Sequence, residues 1–357
     1  MITKENDSVR MKGIYEVMKL ITFAIPSYNS EKYLCHAVDT ILTGGEEVEI
    51  IIVNDGSTDA TAAIADSYAR QYPTIVRAIH KENGGHGSGV NRGLQEATGL
   101  YFKVVDSDDW VDEKALAELL ATLRGHVSKG LEADLYITNY VYEHVEDNTR
   151  AVRRWNRQLP QNRFFGWDEV KGFHFAQIMM MHSLLYRTEA MRASGIVLPE
   201  HTFYVDNLYA FQPLPQMRKL YYLDVNLYRY YIGRSDQSIT MENVMKRYEQ
   251  QVRVTRMMFD SFTYAQLHTL PKGLCRYMLH YLGAIMMVTQ FSCSGDNLER
   301  KEAYEALLAH IKDRDPQMYA YIQRRSLMAV VSWMPWGVRS TTVITGYQAL
   351  CKIVKLG

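Results

Sequence analysis

The chain has 357 residues, with 40 lysines and arginines against 40 aspartates and glutamates, so its formal net charge is zero. That balance gives no bulk attraction for nucleic acid, and the length allows one large domain or two ordinary ones with a sizeable core. Cys35, Cys275, Cys293 and Cys351 are too scattered for a CxxC pair, which fits a reducing compartment, and no apolar run approaches the ~18 residues of a membrane-spanning helix.

Met1 to Val17 is polar and charged, so residues 1–17 read as an N-terminal extension rather than a secretory signal, with Met18 as an alternative start; a cytoplasmic location is expected. Leu20 to Ile25 is an apolar run that predicts a buried strand, stopped by Pro26. Tyr33, Leu34, Ala37, Val38, Ile41 and Leu42 recur at helical spacing, and Gly44-Gly45 end that helix. Val48 to Val53 predicts a second strand, and Asn54 to Asp59 a turn whose Thr58 or Asp59 caps a helix reaching Tyr72. Ile75 to Ile79 predicts a third strand. A glycine-rich loop, Asn83 to Gly89, then opens a helix that runs to Gly99.

Leu100 to Val105 predicts the next strand, and it breaks off into Asp106-Ser107-Asp108-Asp109. Residues two apart in an extended backbone point the same way, so Asp106 and Asp108 are expected to face one pocket. Neighbouring carboxylates repel, and a divalent cation such as Mg²⁺ or Mn²⁺ would relieve that cost with ligands it prefers. The competing reading is a solvated acidic turn, or Asp109 or Asp112 as the cap of the helix bearing Ala115, Leu116, Leu119 and Leu120, which explains one acid but not three.

The first ~140 residues thus alternate strand and helix, the pattern of a mostly parallel sheet with helices on both faces, whose ligands sit at the carboxyl ends of the strands. Three polar loops fall at that edge: Pro26 to Asn29, Asn54 to Asp59 and Asp106 to Asp109. After Leu135 to Tyr142 the pattern loosens. Residues 143–165 carry Arg150, Arg153, Arg154, Arg157 and Arg163, read as a loop near a phosphate or as a solvated face. Residues 241–357 read as a helical C-terminal region, with methionines among core positions.

Taken in order, Ile25-Pro26-Ser27-Tyr28-Asn29, Val53 to Asp59, Asn83-Gly84-Gly85 and Asp106-Ser107-Asp108-Asp109 resemble the family 2 glycosyltransferases of the GT-A fold, over residues 18–240. The resemblance implies an α/β fold with a GT-A-type, mostly parallel sheet flanked by helices. It implies an inverting enzyme that moves a sugar from a nucleoside diphosphate donor, a UDP-sugar, to a hydroxyl of a glycan or lipid-linked acceptor with Mn²⁺ or Mg²⁺. Pro26 and Tyr28 would line the nucleotide pocket, and Asp55 would accept from the base. Asp106 would approach ribose and metal, beside Ser107, and Asp108 would hold the metal. Gly85 and His86 would lie along the donor.

The chain departs from the family pattern at Gly89-Val90-Asn91, where an Ala-Arg-Asn is usual. The extra Gly87 and Gly89 suggest a close backbone approach to the ligand. His86 reads as a diphosphate or sugar contact, or as a residue packing in its loop. Within Pro199 to Asn207, Val205 stands where the family has Glu, and Asp206 matches the catalytic base; the competing reading is a helix cap. Tyr228 to Ser238 resembles a segment near the end of the catalytic domain, with Arg234 or Gln237 reaching phosphate or acceptor.

Three other functions compete. A nucleotidyltransferase would need a basic, glycine-rich loop after the first strand, and Pro26-Ser27-Tyr28-Asn29 is not one. An NAD-dependent oxidoreductase would use Gly85-His86-Gly87, but Val90 stands where its third small residue belongs. A non-catalytic nucleotide-sugar-binding module remains. The tail, residues 324–357, joins tryptophans and basic residues to a run broken by Pro335 and Gly337. It is expected to act as a peripheral membrane contact on the inner face of the cell membrane, or as a packing or homo-oligomer element.

Overall fold

The computed structural model describes residues 18–145, 147–174, 177–233 and 240–354. Strands β1 (Ile21–Ser27), β2 (Val48–Asp55), β3 (Val76–Lys81) and β4 (Tyr101–Val104) alternate with helices α1 (Leu34–Leu42), α2 (Thr61–Gln71) and α3 (His86–Glu96). These strands pair in parallel, in the order β3-β2-β1-β4. Every residue of β1, β2 and β4 is buried, as expected where helices cover both faces of a parallel sheet.

Register makes the functional edge. Ser27 lies opposite Asn54, and Asn54 opposite His80, so three strands end nearly level. β1 does not stop at Pro26 as expected but runs on to Ser27. Ala24 accepts from Val105 on the β4 side, and Pro26, two residues on, faces the same side. There β4 has already ended at Val104, so the missing N–H costs no ladder bond.

The second half of the sheet is mixed. After β5 (Trp110–Val111) and α4 (Glu113–Val127) come β6 (Leu135–His144), β7 (Thr149–Arg153), β8 (Phe164–Phe165) and β9 (Leu184–Arg187). Short helices α5 (Thr188–Ala193) and α6 (Asp206–Phe211) follow, then the long β10 (Leu220–Ile232). β9 lies antiparallel between β4 and β6, β10 runs parallel to β6, and β5 and β8 pair antiparallel with β10. Asp112 caps α4, accepting from Ala115. The arginine-rich stretch is not a loop throughout, because β7 extends the sheet from β6. Arg150 pairs with Glu143, Arg154 with Asp224 and Arg163 with Glu169. The arginines of these pairs are more than half exposed, as on a solvated face, and such pairs contribute about 0–1 kcal/mol each.

From Met241 onward the described chain is helical: α7 (Met241–Lys246), α8 (Tyr248–Ser261), α9 (Tyr264–Leu267), α10 (Lys272–Cys293), α11 (Leu298–Arg314), α12 (Pro316–Arg325) and α13 (Trp336–Val354). The buried α10 is the axis of this region, and its side chains join the same continuous core as the sheet. Phe211 of α6 meets Tyr281 of α10 edge-on, with ring centroids 5.7 Å apart. The start of α10 is pressed against the turn Trp167–Glu169, so closely that a Cβ on Gly273 would lie 1.7 Å from the Trp167 carbonyl oxygen. The helix cannot keep that seat with any side chain there. Gly273→Ala should therefore cost about 3 kcal/mol, at the upper end for overpacking, and lower the melting temperature measured by calorimetry.

Candidate active site

The loops after β1 and β2 are stitched together. Asn29, held at a positive φ of 49°, accepts from Thr58 N through its side chain at 2.8 Å, and its own N–H donates to Ser57 Oγ at 3.0 Å. Ser30 N donates to Thr61 Oγ1, and Ser30 Oγ meets Ser107 Oγ at 2.6 Å. The N-cap position of α2 is Ala60 rather than Thr58 or Asp59, but Asp59 accepts from the first turn at Thr61 N. Tyr28 is left 53% exposed at the mouth of the edge.

Asp55 is buried, and its carboxylate is already at work. Oδ1 accepts from Lys81 Nζ at 2.7 Å and from Gly84 N at 3.0 Å, while Oδ2 accepts from Gly85 N at 2.7 Å. Oδ1 already accepts twice, but Oδ2 can still accept once more, so a base N–H is compatible with this arrangement. A dinucleotide phosphate in the glycine loop is not, because the two amides it would need point at Asp55.

The same loop shows what its glycines are for. Three of them admit protein at close quarters. Gly85 has φ +83°, and a Cβ there would lie 3.1 Å from His201 N; at Gly87 it would lie 2.7 Å from the Pro199 carbonyl oxygen, and at Gly89 2.9 Å from Pro26 Cβ. The segment 198–205 lies directly on α3. Asn91 grips Leu198 with both ends of its amide, donating to the carbonyl at 2.8 Å and accepting from N–H at 2.9 Å. Ser88 donates to Glu200, and His201 N donates to Gly84 O at 2.7 Å. Val205, standing where the family has Glu, is buried within van der Waals reach of Gly87.

This docking delivers Asp206 as the first residue of α6. The helix has no side-chain cap, so a capping role does not account for Asp206. Burial pushes its carboxyl up to about 6, with His86 pulling it down and Asp106 adding to the rise. Its neighbour Asn207 donates to Tyr204 O and accepts from Tyr281 of α10 at 3.2 Å, which fixes α6 on the C-terminal helices.

Asp106 faces this group. His86, at the start of α3, places Nε2 2.8 Å from Asp106 Oδ1. Burial works against the imidazolium, but Asp106 first, then Asp206 and Asp108, hold its pKa above the ordinary histidine value. Burial likewise works against the Asp106 carboxylate, and His86 outweighs it, keeping the acid below its usual range. Asp106 to Asp109 forms a turn, closed by Asp109 N donating to Asp106 O, so the alternation expected of an extended strand does not apply to Asp106 and Asp108. Asp108 is half-buried in that turn. Asp109 points inward, accepting from Tyr228 Oη at 2.6 Å and from Tyr231 N at 2.8 Å. Burial, then Asp108 and Asp106, push its pKa well up.

Two participants escape sequence reasoning. His182 is buried with Nδ1 unpartnered, and burial lowers its pKa to about 4, leaving a neutral ring. One of its nitrogens and carboxylate oxygens of Asp106 and Asp109 lie within 4.8 Å of one another. Two acids and a neutral imidazole suit a divalent cation such as Mn²⁺, so the residues fit the expected metal. Lys103 is wholly buried behind Asp106 and donates to the carbonyls of His182 and Leu184; burial lowers its pKa to about 7. A lysine inside an apolar strand run is a visible signal for it; nothing local marks His182. Arg234 and Gln237 lie outside the described residues.

Because Asn91 alone clamps Leu198 from both sides, Asn91→Ala should cost about 2 kcal/mol in thermal unfolding, the loss of two hydrogen bonds to half-buried backbone. With the segment freed, the Asp206 carboxyl, followed by NMR, should titrate nearer the ordinary carboxylate range.

Comparison with known proteins agrees with this geometry. The family model described as Glycosyl transferase family 2 matches residues 22–188. The putative glycosyltransferase EpsH of Bacillus subtilis (strain 168) is 28% identical over 245 residues, 65% of this chain and 64% of EpsH, so the match spans just under two thirds of that relative. Among solved structures, S. aureus TarS 1-349 in complex with UDP superposes with a TM-score of 0.64 at 18% identity, covering 92% of this chain and 91% of that one. The mannosyltransferase PcManGT from Pyrobaculum calidifontis, in complex with GDP-Man and Mn²⁺, gives 0.52 at 13% identity, covering 94% and 87%. These two share the fold. The family match over residues 22–188 takes in all four ordered loops, and that stretch of the chain is similar to glycosyl transferase family 2.

Proposed function

We propose that the chain is an inverting transferase that moves a sugar from a UDP-sugar to a hydroxyl of a glycan or lipid-linked acceptor, working on the cytoplasmic side at the inner face of the cell membrane. The observation that carries this reading is the convergence of His86, Asp106 and Asp206 at the carboxyl edge of the parallel strands, with Asp206 held near the pKa a base needs. Two fold neighbours bound to nucleotides, one with UDP and one with GDP-Man, support a nucleoside diphosphate donor.

In this reading Tyr28 and Pro26 receive the base, Asp55 accepts from it, and the Asp106–Ser107 turn faces the ribose. Asp206 accepts the proton of the acceptor hydroxyl at a carboxylate oxygen as that hydroxyl attacks the anomeric carbon from the side opposite the leaving group, which inverts the configuration. His86, poised between Asp106 and Asp206, supplies a donor for a diphosphate oxygen. A divalent cation, when bound, would offset the charge of the departing diphosphate. Asp106 would be its anchoring ligand, with Asp108 added by the family resemblance and Asp109 and His182 close enough to join.

A base must be ionised. kcat should therefore rise with pH through about 6 and level off above it, and Asp206→Asn should remove this step while lowering kcat by a factor on the order of 10²–10⁴ with UDP affinity little changed. The folded pKa lies above the unfolded value, so Asp206 stabilises the fold at low pH, and that contribution is lost as pH rises through about 6. At pH 8 the Asn variant should melt no lower than the native chain. Retention of anomeric configuration in the product, read by NMR, would overturn the mechanism.

Calorimetric titration with UDP checks the metal. Mn²⁺ should tighten binding, and EDTA or Asp106→Asn should abolish the gain. Comparing Asp108→Asn with His182→Gln shows which residue completes the metal's ligand set.

A further inference from the structure

From Pro316 to Gly357 the sequence contains no aspartate or glutamate but five basic residues, Arg324, Arg325, Arg339, Lys352 and Lys355. In a chain of zero formal net charge, this is a strongly one-sided end. No helix among the described residues is long and apolar enough to cross a membrane. The segment is nonetheless divided into an inner and an outer face.

The inner face packs. Met328, Val331 and Val343 are buried, Tyr347 stacks on Phe291 at 3.8 Å, and Trp336 meets Tyr304 at 5.9 Å. This part of the tail is thus a packing element, one of the two roles its sequence allows, and Pro335 and Gly337 mark the start of α13 rather than a break in it. The outer face does not pack. Trp333 is 75% exposed, Val330 66% and Val338 57%.

That exposure is built rather than loose. The Arg339 guanidinium donates to the carbonyls of Ser332 and Met334, one on each side of Trp333. Ser332 Oγ donates to Gln323 O, drawing the turn back to the exposed Arg324 and Arg325. A tryptophan and two valines are therefore held outward in a fixed turn, next to two exposed positive charges.

We infer that residues 324–338 form an interfacial patch that docks on an anionic lipid surface, Val330, Trp333 and Val338 entering the headgroup zone while Arg324 and Arg325 meet lipid phosphates. Tryptophan favours that zone because one part of its ring system is apolar and the other can donate. Positive charge beside it selects anionic lipid, and salt screens the attraction. The inference deepens the proposed action on membrane-side acceptors and rests on it for its biological sense, though not for its test.

Flotation of the full chain on vesicles, without donor or acceptor, decides the matter. Native protein should float with phosphatidylglycerol vesicles at low salt and much less with phosphatidylcholine vesicles or at high salt. Val330→Ser with Trp333→Ser, and separately Arg324→Glu with Arg325→Glu, should each lower the bound fraction by a factor on the order of ten. All four side chains point to solvent, so melting temperature and UDP binding should stay at native values in both variants. Failure of the native chain to float, or flotation of the serine variant as strong as native, overturns the inference. So does a dimer in sedimentation that the serine variant dissolves while flotation persists, since the patch would then join two copies. UDP binding that survives in a chain that does not float separates this failure from failure of the transferase reading.

Discussion

A single buried carboxylate, Asp55, holds the site together. By accepting from Gly84 N, Gly85 N and Lys81, it fixes the glycine loop against the end of β2. That loop sets where α3 begins, so it sets the position of His86 on Asp106. The Gly84 carbonyl, turned outward by the same arrangement, receives His201 and starts the docking of the segment that leads to Asp206. A charge-assisted hydrogen bond in a dry environment is strong, and a carboxylate satisfied on both oxygens is costly to disturb. Asp106 and Asp206 are thus both referred to one fixed point.

The acids beyond it are held in unequal states by their surroundings. Asp106 has His86 beside it and stays ionised. Asp109, three residues on, has Tyr228 and the Tyr231 amide and is driven toward its neutral form by burial and by its fellow acids. One carboxylate in the turn presents charge to the site, and another fastens the turn to β10. Environment, not residue type, divides the labour.

Much of this arrangement is legible in the sequence alone. Alternating strand and helix periods up to the end of the parallel strands announce the edge where Asp55 and Asp106 stand, because each element there is local and its hydrophobic period is clean. Asp206 is legible through its place in a family pattern. What stays hidden depends on contacts remote in sequence. His182 reaches Asp106 only because β9 inserts antiparallel between β4 and β6, a pairing no local period encodes. Gly87 and Gly89 point the sequence reader to a ligand, because an absent side chain says that something comes close, not what; here it is Pro199 and Pro26. Strand geometry gives Asp106 and Asp108 a common direction, which a turn of four residues cancels.

The bond between Tyr281 and Asn207 bears on modularity. The family match ends at residue 188, but the base candidate stands eighteen positions later, on a six-residue helix whose seat is provided by α10. A segment cut at the edge of the family match would carry Asp55, His86 and Asp106 and leave Asp206 behind. The helical region is therefore not an appendage that recombination could exchange freely among relatives. Swapping it means re-aiming a carboxylate, and chimeras of such enzymes should be joined beyond the last turn of α10 rather than at the end of the sheet.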